Sequence, residues 1–357
     1  MNALARQIIR LIQMQGPLSV AQYMAIALHD PAHGYYSARQ PIGAIGDFIT
    51  APEISQMFGE LLGAWIVQAW RDQGSPSPAR LVELGPGRGT LMADVLRGAS
   101  LGHKFLESIE LVLIETSARL REAQTEKLKT APVAIRWLER FDELLADRPL
   151  FLLANEFFDA LAIRQYVFTA CGWCERMVGL DSTDALAFVL SPVALPHAVP
   201  AERAEFGAVY EICPAAEALV EQIAEIIAQK GGAALVVDYG YEAKAGFGET
   251  LQAVAEHSFA NVLDSPGEAD LSAHVDFAAL SAAAARAGAR TCGPTSQGAF
   301  LKRLGIHIRA EQLSRSHPDQ AGNIAAGLER LTSPEQMGQL FKALAILPPS
   351  APAPPGF

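Results

Sequence analysis

Residues Leu81 to Thr90, LVELGPGRGT, combine an acid, Glu83, with glycines at Gly85, Gly87 and Gly89 and a hydroxyl at Thr90. Leu81, Val82 and Leu84 read as a buried strand, and Leu91, Met92, Val95 and Leu96 fall at helical spacing beyond the turn. Strand, glycine turn and helix form the opening unit of a nucleotide-binding α/β sheet, whose ligand lies at the carboxyl end of the strand. The glycines let the backbone turn sharply and approach a ligand with no Cβ in the way. A second acid, Glu115, ends the apolar run ELVLIE, thirty residues after Gly85, which leaves room for one intervening helix. An acid at that place can accept hydrogen bonds from both hydroxyls of a ribose.

The spacing discriminates between ligands. A dinucleotide fingerprint has glycines at its first, third and sixth positions, with pyrophosphate on the helix N-terminus. Here the sixth position is Thr90, which disfavours a nicotinamide-dependent oxidoreductase. The pattern E-x-G-x-G-x-G, from Glu83 to Gly89, resembles motif I of class I S-adenosylmethionine (SAM) methyltransferases. SAM carries a cationic sulfonium and an amino group, so an acid at the strand end suits it electrostatically.

The elements that must hold these residues follow from periodicity. Residues 2 to 15 read as an amphipathic helix, and Ser19 as the N-cap of a second helix running to about Leu28. A polar, glycine-containing stretch with Asp47, Thr50 and Glu53 leads into a long helix to about Gln73. The stretch from Asp47 to Glu53 is expected to fold as a lid over the cofactor, with Asp47 and Thr50 among its contacts. LFLLAN (150 to 155) is an apolar strand ending at Asn155, with Glu156 and Asp159 just beyond. From Ile163 to about Val193 the alternation predicts a β-meander, followed by a helix from Ala215 to Gln229. ALVVDYG (234 to 240) is a further buried strand ending in Asp238, residues 241 to 276 read as loop-rich, and MGQLFKALAI as part of a last helix.

Strands alternating with helices predict an α/β fold with a doubly wound, mostly parallel Rossmann-like sheet. Strands one, two, four and five are placed by this reading; six and seven are not. The expected organisation is an N-terminal helical region and lid (1–75), a SAM-binding methyltransferase domain (76–160 and 231–346), a β-rich substrate-side insertion (161–230) and a disordered proline-rich tail (347–357).

Composition limits the functional classes. The chain has 357 residues, half of them hydrophobic and 19% charged, which describes a globular protein. A net charge of −11 argues against nucleic acid as a partner, since phosphate binding needs basic surface, and is compatible with a cationic acceptor such as arginine or lysine. Four cysteines are too few for a disulfide scaffold, and Cys171 and Cys174 (CGWC) have no further ligands nearby, so no metal is expected. No run is apolar and long enough to span a membrane, and the N-terminus reads as neither a secretory signal nor a transit peptide, so a soluble cytoplasmic setting is expected.

Six blocks carry a more specific resemblance: GDFITAPEISQMFGE (46 to 60), LVELGPGRGTLMADVLR (81 to 97), NEFFDALAIRQ (155 to 165), DYG (238 to 240), PGEADLSAHVDF (266 to 277) and TSQGAFLKRLG (295 to 305). Together they resemble the MidA-like family of class I SAM-dependent methyltransferases, which includes a mitochondrial arginine methyltransferase that assists assembly of respiratory complex I. The resemblance extends from about residue 3 to 346. It implies protein arginine N-methylation, giving symmetric dimethylarginine on a core peripheral-arm subunit of complex I, in the cytoplasm of a bacterium or the mitochondrial matrix of eukaryotic relatives. It leaves monomer and homodimer open. Past the fourth strand, where the methyl acceptor lies in such sheets, Glu156 and Asp159 are expected to grip the guanidinium and Asn155 to help place it. The plainer alternative is that Asn155 and Asp159 cap a following helix. A competing reading keeps the fold and the SAM pocket but makes the protein a non-catalytic assembly factor that docks a client.

Overall fold

The computed structural model describes residues 1–38, 50–194, 204–242, 248–255 and 258–357. Asp47 lies outside them. The chain divides into two units, one built from Ile49–Phe158, Glu217–Glu242 and Phe277–Phe357, the other from Met1–Phe48, Asp159–Ala216 and Ala243–Asp276.

The first unit holds a twisted sheet. Its strands in chain order are β1 (Ala79–Leu84), β2 (Ile109–Ile114), β3 (Ile135–Leu138), β4 (Leu150–Asn155), β5 (Gly232–Tyr241), β6 (Arg290–Ser296) and β7 (Phe341–Leu347). In space they run β6-β7-β5-β4-β1-β2-β3. β3, β2, β1, β4 and β5 are mutually parallel, while β7 runs antiparallel to both β5 and β6. The central strands are mostly apolar, as expected where helices cover both faces of such a sheet. Leu81, Leu111, Leu113, Phe151, Leu153 and Leu235 are buried in one cluster with Phe58, Leu62, Trp65 and Trp70. The order reverses between β1 and β4, and at this switch point the carboxyl ends of the strands open a crevice for ligands.

Helices of this unit include α1 (Ala51–Ile54), α2 (Gln56–Asp72), α3 (Thr90–Ala99) and α4 (Ala118–Lys127). Ser55 caps α2, its Oγ accepting from the Met57 amide at 3.3 Å. Gly59 and Gly63 on α2 face Leu91, Asp94 and Val95 of α3 so closely that an added Cβ would lie 2.5 and 2.2 Å from its nearest neighbour, which lets the two helices pack at short range.

The second unit is an antiparallel meander, Arg164–Thr169, Gly172–Leu180 and Leu186–Ala194, extended by Val209–Ile212 and by the two-residue strand Leu18–Ser19. Helices Ala3–Gln15 and Val20–His29 bury Leu4, Ile8, Tyr23 and Met24 together with Val178 and Leu271. Ser19 caps the second of these with a full capping box. A second, three-stranded sheet joins Gln252–Ala255 to Ser258–Ala260 and Asp270–Ser272.

Several boundaries differ from the sequence expectation. Residues 1–48 group with the meander, whereas α1 and α2 belong to the sheet unit, so the expected 1–75 region is divided. The helix Pro214–Lys230 belongs to the sheet unit from Glu217 onward, which shortens the expected 161–230 insertion. Residues 241–276 contain strands where loops were expected, in short pieces of two to four residues that give little alternation to read. The run expected as a last helix breaks after Met337–Leu340, and Phe341–Leu347 is β7. A short apolar run buried on both faces has no periodicity to separate strand from helix.

The tail is ordered rather than disordered. Trp65 Nε1 donates to the Pro355 carbonyl at 3.0 Å, Arg303 to the Gly356 carbonyl at 3.1 Å, and the Phe357 ring lies 5.1 Å from that of Phe300. Proline removes backbone donors but leaves carbonyls, and side chains of the sheet unit supply the donors.

Candidate active site

β1 delivers Glu83 and then the turn. Gly85, Gly87 and Gly89 all have positive φ, at 58°, 53° and 80°. A Cβ on Gly85 would come within 2.8 Å of the Phe157 ring, so this turn requires glycine both for its backbone conformation and for its neighbour. Thr90 opens α3. Its hydroxyl donates to Glu53 Oε1 at 2.7 Å, which ties α1 to the helix that follows the turn. Thr50 is the N-cap of α1, and its carbonyl accepts from Glu53 and Ile54 while its hydroxyl makes no cap bond.

Glu115 follows β2. Its Oε1 accepts from the Ser117 amide at 2.8 Å and its Oε2 from Gln124 Nε2 at 3.3 Å. Gln124 also donates to the Gly87 carbonyl at 2.8 Å and accepts from Trp137 Nε1 at 2.8 Å, so one fully buried amide links the turn, the second acid and β3. Burial raises the Glu115 carboxyl above its ordinary range, against the lowering effect of the Ser117 and Gln124 bonds. Burial and the nearby Glu115 push Glu83 up to about 8. Among the described residues, Glu83 Oε2 is buried and accepts no hydrogen bond.

A buried acid short of donors, a glycine cradle too close for any side chain and a second acid held in orientation fit SAM well. The cationic end of SAM suits Glu83, its ribose suits Glu115, and the three glycines leave the backbone bare between them.

β4 delivers Asn155, with Glu156 just past its end. The Glu156 amide donates to the Val237 carbonyl at 2.9 Å, extending the parallel ladder one residue past the strand. Glu156 then takes a left-handed conformation, φ 48°, which is uncommon for a residue with a side chain. Its Oε1 accepts from the Ala51 amide at 2.8 Å and from Asn155 Nδ2 at 3.1 Å. Asn155 Oδ1 is buried and, among the described residues, accepts no hydrogen bond. The structure thus joins Asn155 and Glu156 to the start of α1, and Glu53 of α1 to Thr90. Asp159 opens the second segment of the other unit, where its carbonyl accepts from the Ala273 amide at 2.9 Å. No helix follows β4; the next regular element is the strand Arg164–Thr169, so Asn155 and Asp159 do not act as helix caps there.

Gln124 and Asp238 are contributors to which the sequence reading gave no role, and Glu53, expected in the lid stretch, pairs with Thr90. Gln124 sits in a strongly polar helix, where nothing in the pattern marks one glutamine as buried. Asp238 was visible as an acid ending an apolar strand, the same signal that marks Glu83.

Strand order, a reversed β7, the glycine turn and the acids near the carboxyl ends of β1 and β2 define a class I SAM-dependent methyltransferase. The sequence profile of a family described as putative S-adenosyl-L-methionine-dependent methyltransferases matches residues 61–295, and the chain belongs to that family. It is 38% identical over 369 residues to the mitochondrial protein arginine methyltransferase NDUFAF7 of Rattus norvegicus, covering 96% of this chain and 84% of the relative. It is also 38% identical to the mitochondrial NDUFAF7 homolog of Drosophila melanogaster, over 97% of this chain and 85% of that protein. Among solved structures it is similar to a likely methyl transferase from Burkholderia thailandensis bound to S-adenosyl-homocysteine, with TM-score 0.83, 29% identity and coverage of 97% of this chain and 92% of the other. The protein is a SAM-dependent methyltransferase.

Proposed function

We propose that the enzyme methylates an arginine side chain of a protein client, giving symmetric dimethylarginine on a peripheral-arm subunit of respiratory complex I during its assembly, in the cytoplasm of a bacterium. The observation that carries the reading is Glu156, an acid in a left-handed conformation just past β4 and next in the chain to Phe157, whose ring lies against Gly85. The similarity to curated arginine methyltransferases over almost the whole chain supports the same acceptor. When bound, SAM supplies an electrophilic methyl group on its sulfonium.

The chain's own residues do the rest. Glu83, Gly85, Gly87, Gly89, Thr90 and Glu115 are the cofactor contacts in this reading, with Thr50 at the edge and Asp47 in the preceding segment. A guanidinium is fully protonated at neutral pH and a poor nucleophile. A carboxylate facing one edge of it forms charge-assisted bonds and concentrates the positive charge there, leaving the far nitrogen freer to attack. Glu156 takes that part, Asn155 places it, and Asp159, three residues along, is the second acid. Alignment of attacking nitrogen and methyl carbon, rather than acid–base chemistry, accounts for most of the rate. The net charge of −11 favours a cationic client.

The test is incubation of the protein with isotopically labelled SAM and recombinant peripheral-arm subunits, followed by mass spectrometry of the digest. Symmetric dimethylarginine at a defined position supports the reading. Label on lysine or on a carboxyl group overturns the acceptor class, and SAM binding without any transfer favours the docking-factor alternative.

A further inference from the structure

β5 carries, three residues before its end, a carboxylate that neither the cofactor nor the acceptor reading uses. Asp238 is completely buried. Its Oδ2 accepts from two consecutive amides of the loop after β4, Phe157 at 3.1 Å and Phe158 at 2.9 Å. Its Oδ1 accepts from the Tyr239 amide at 2.9 Å. The residue just before those amides is Glu156, with its φ of 48°, and the ring of Phe157 is the group that a Cβ on Gly85 would strike.

We infer that Asp238 is a positioning residue for methyl transfer: by gathering the Phe157 and Phe158 amides onto one buried oxygen, it sets the turn that presents Glu156 and presses Phe157 against the glycine turn. The inference rests on the reading of Glu156 as the acid that meets the acceptor. The physical need is specific. A left-handed residue with a side chain persists only where its surroundings over-determine it. The chain leaves β4 with the Glu156 amide still bonded to the Val237 carbonyl. The next two amides have no strand partner and would be buried donors needing an acceptor. A carboxylate offers several lone pairs and binds N–H groups more strongly than a carbonyl does. Asp238 lies one residue beyond Val237, so β5 fixes the loop at two successive residues, first by its backbone and then by its side chain.

Phe157 gives the arrangement a second consequence. Its ring sits on Gly85, so the loop that carries the acceptor acid and the turn that would carry the cofactor share a contact whose geometry Asp238 sets. Acceptor and methyl donor are thereby placed from one buried anchor.

Two measurements test this. In the wild-type protein, hydrogen exchange of the Phe157 and Phe158 amides should be slow, of the same order as that of the β5 amides, although both lie in a loop. Fast exchange of these two amides overturns the inference without any variant. Asp238→Asn keeps the shape but turns one acceptor into a donor. In that variant the two amides should lose protection while the Glu156 amide keeps its own. Methyl transfer at saturating substrate should fall at least about tenfold, with S-adenosylhomocysteine affinity held within about threefold. Full activity in Asp238→Asn, or an equal loss of cofactor affinity and rate, overturns the positioning role. Should Asp238→Asn fail to fold, the wild-type exchange pattern decides. Should the wild-type enzyme transfer no methyl group to arginine, the functional reading fails by itself, and the exchange measurements still judge what Asp238 does to the loop.

Discussion

The carboxyl ends of β1 and β2 carry Glu83 and Glu115, and the ends of β4 and β5 carry Glu156 and Asp238. The two pairs stand in similar surroundings and are treated differently. Asp238 accepts three backbone N–H groups, and Glu156 accepts one backbone and one side-chain N–H on a single oxygen. Glu83 is equally buried, faces a second acid and has an oxygen with no donor among the described residues. Burying a carboxylate is costly unless it is paired or hydrogen-bonded, so the protein supplies N–H donors to Asp238, Glu156 and Glu115 and leaves one oxygen of Glu83 in need of a cation. Asp238 in the one region shapes backbone, and Glu83 in the other is shaped for a ligand.

The largest expected effect falls where the two regions touch. Gly85→Ala places a Cβ 2.8 Å from the Phe157 ring and forces an alanine to φ 58°. The backbone strain alone costs about 1–2 kcal/mol. S-adenosylhomocysteine binding should weaken by about a hundredfold or more and methyl transfer should vanish, as read by calorimetry and label incorporation. Normal binding in this variant would mean that the turn does not cradle the cofactor, and the comparison would lose its first half.

Glu156→Gln should divide the two halves cleanly. Catalysis should fall roughly a hundredfold, because the variant lacks the charge we propose orients the guanidinium, while cofactor affinity stays within about threefold. A parallel loss of both would place Glu156 on the cofactor side.

Glu83→Gln should act in opposite directions on binding and on stability. The carboxyl holds its proton up to about 8 in the folded protein, whereas in the unfolded chain it ionises near the ordinary value of 4.5. Between those values the folded state binds more protons than the unfolded one, so cofactor-free stability falls as pH rises through that window and levels off above it. Glu83→Gln removes this fall. At pH 8 the cofactor-free variant should melt about 2–5 °C above wild type, while SAM affinity drops about tenfold. A lower melting temperature at pH 8 would show that Glu83 is already satisfied without a ligand.

Glu53→Ala is the mildest. It cuts the 2.7 Å bond from Thr90 that holds α1 over the start of α3. Cofactor affinity should fall about two- to fivefold, chiefly through faster release. An unchanged release rate would leave α1 as packing rather than as a lid.

The central strands and the glycine turn were legible because their signals are local. Leu81 to Leu96 declare strand, turn and helix within sixteen residues, and Glu115 ends its strand as expected. β7 was not legible, since Phe341–Leu347 is buried on both faces and lies between β5 and β6, partners distant in the chain. Gln124 and Asp238 were hidden for a related reason. Each acts on backbone groups far away in sequence, at Gly87 and at Phe157 and Phe158, and no spacing rule joins residues eighty positions apart. The acids themselves could be read as candidates; whether each meets an amide or waits for a ligand depends on those distant partners.

The left-handed backbone at Glu156 also constrains how this protein can drift. Glycine is the residue that conformation prefers, and Glu156→Gly would relieve strain of about 1–3 kcal/mol where the chain leaves β4. A population screened only for heat resistance or yield would therefore be drawn toward glycine at this position and lose the acid in doing so. A glutamate maintained there against that pull would mark a lineage still under selection for its chemistry, and its replacement by glycine in a descendant would mark a fold retained after the reaction had been abandoned.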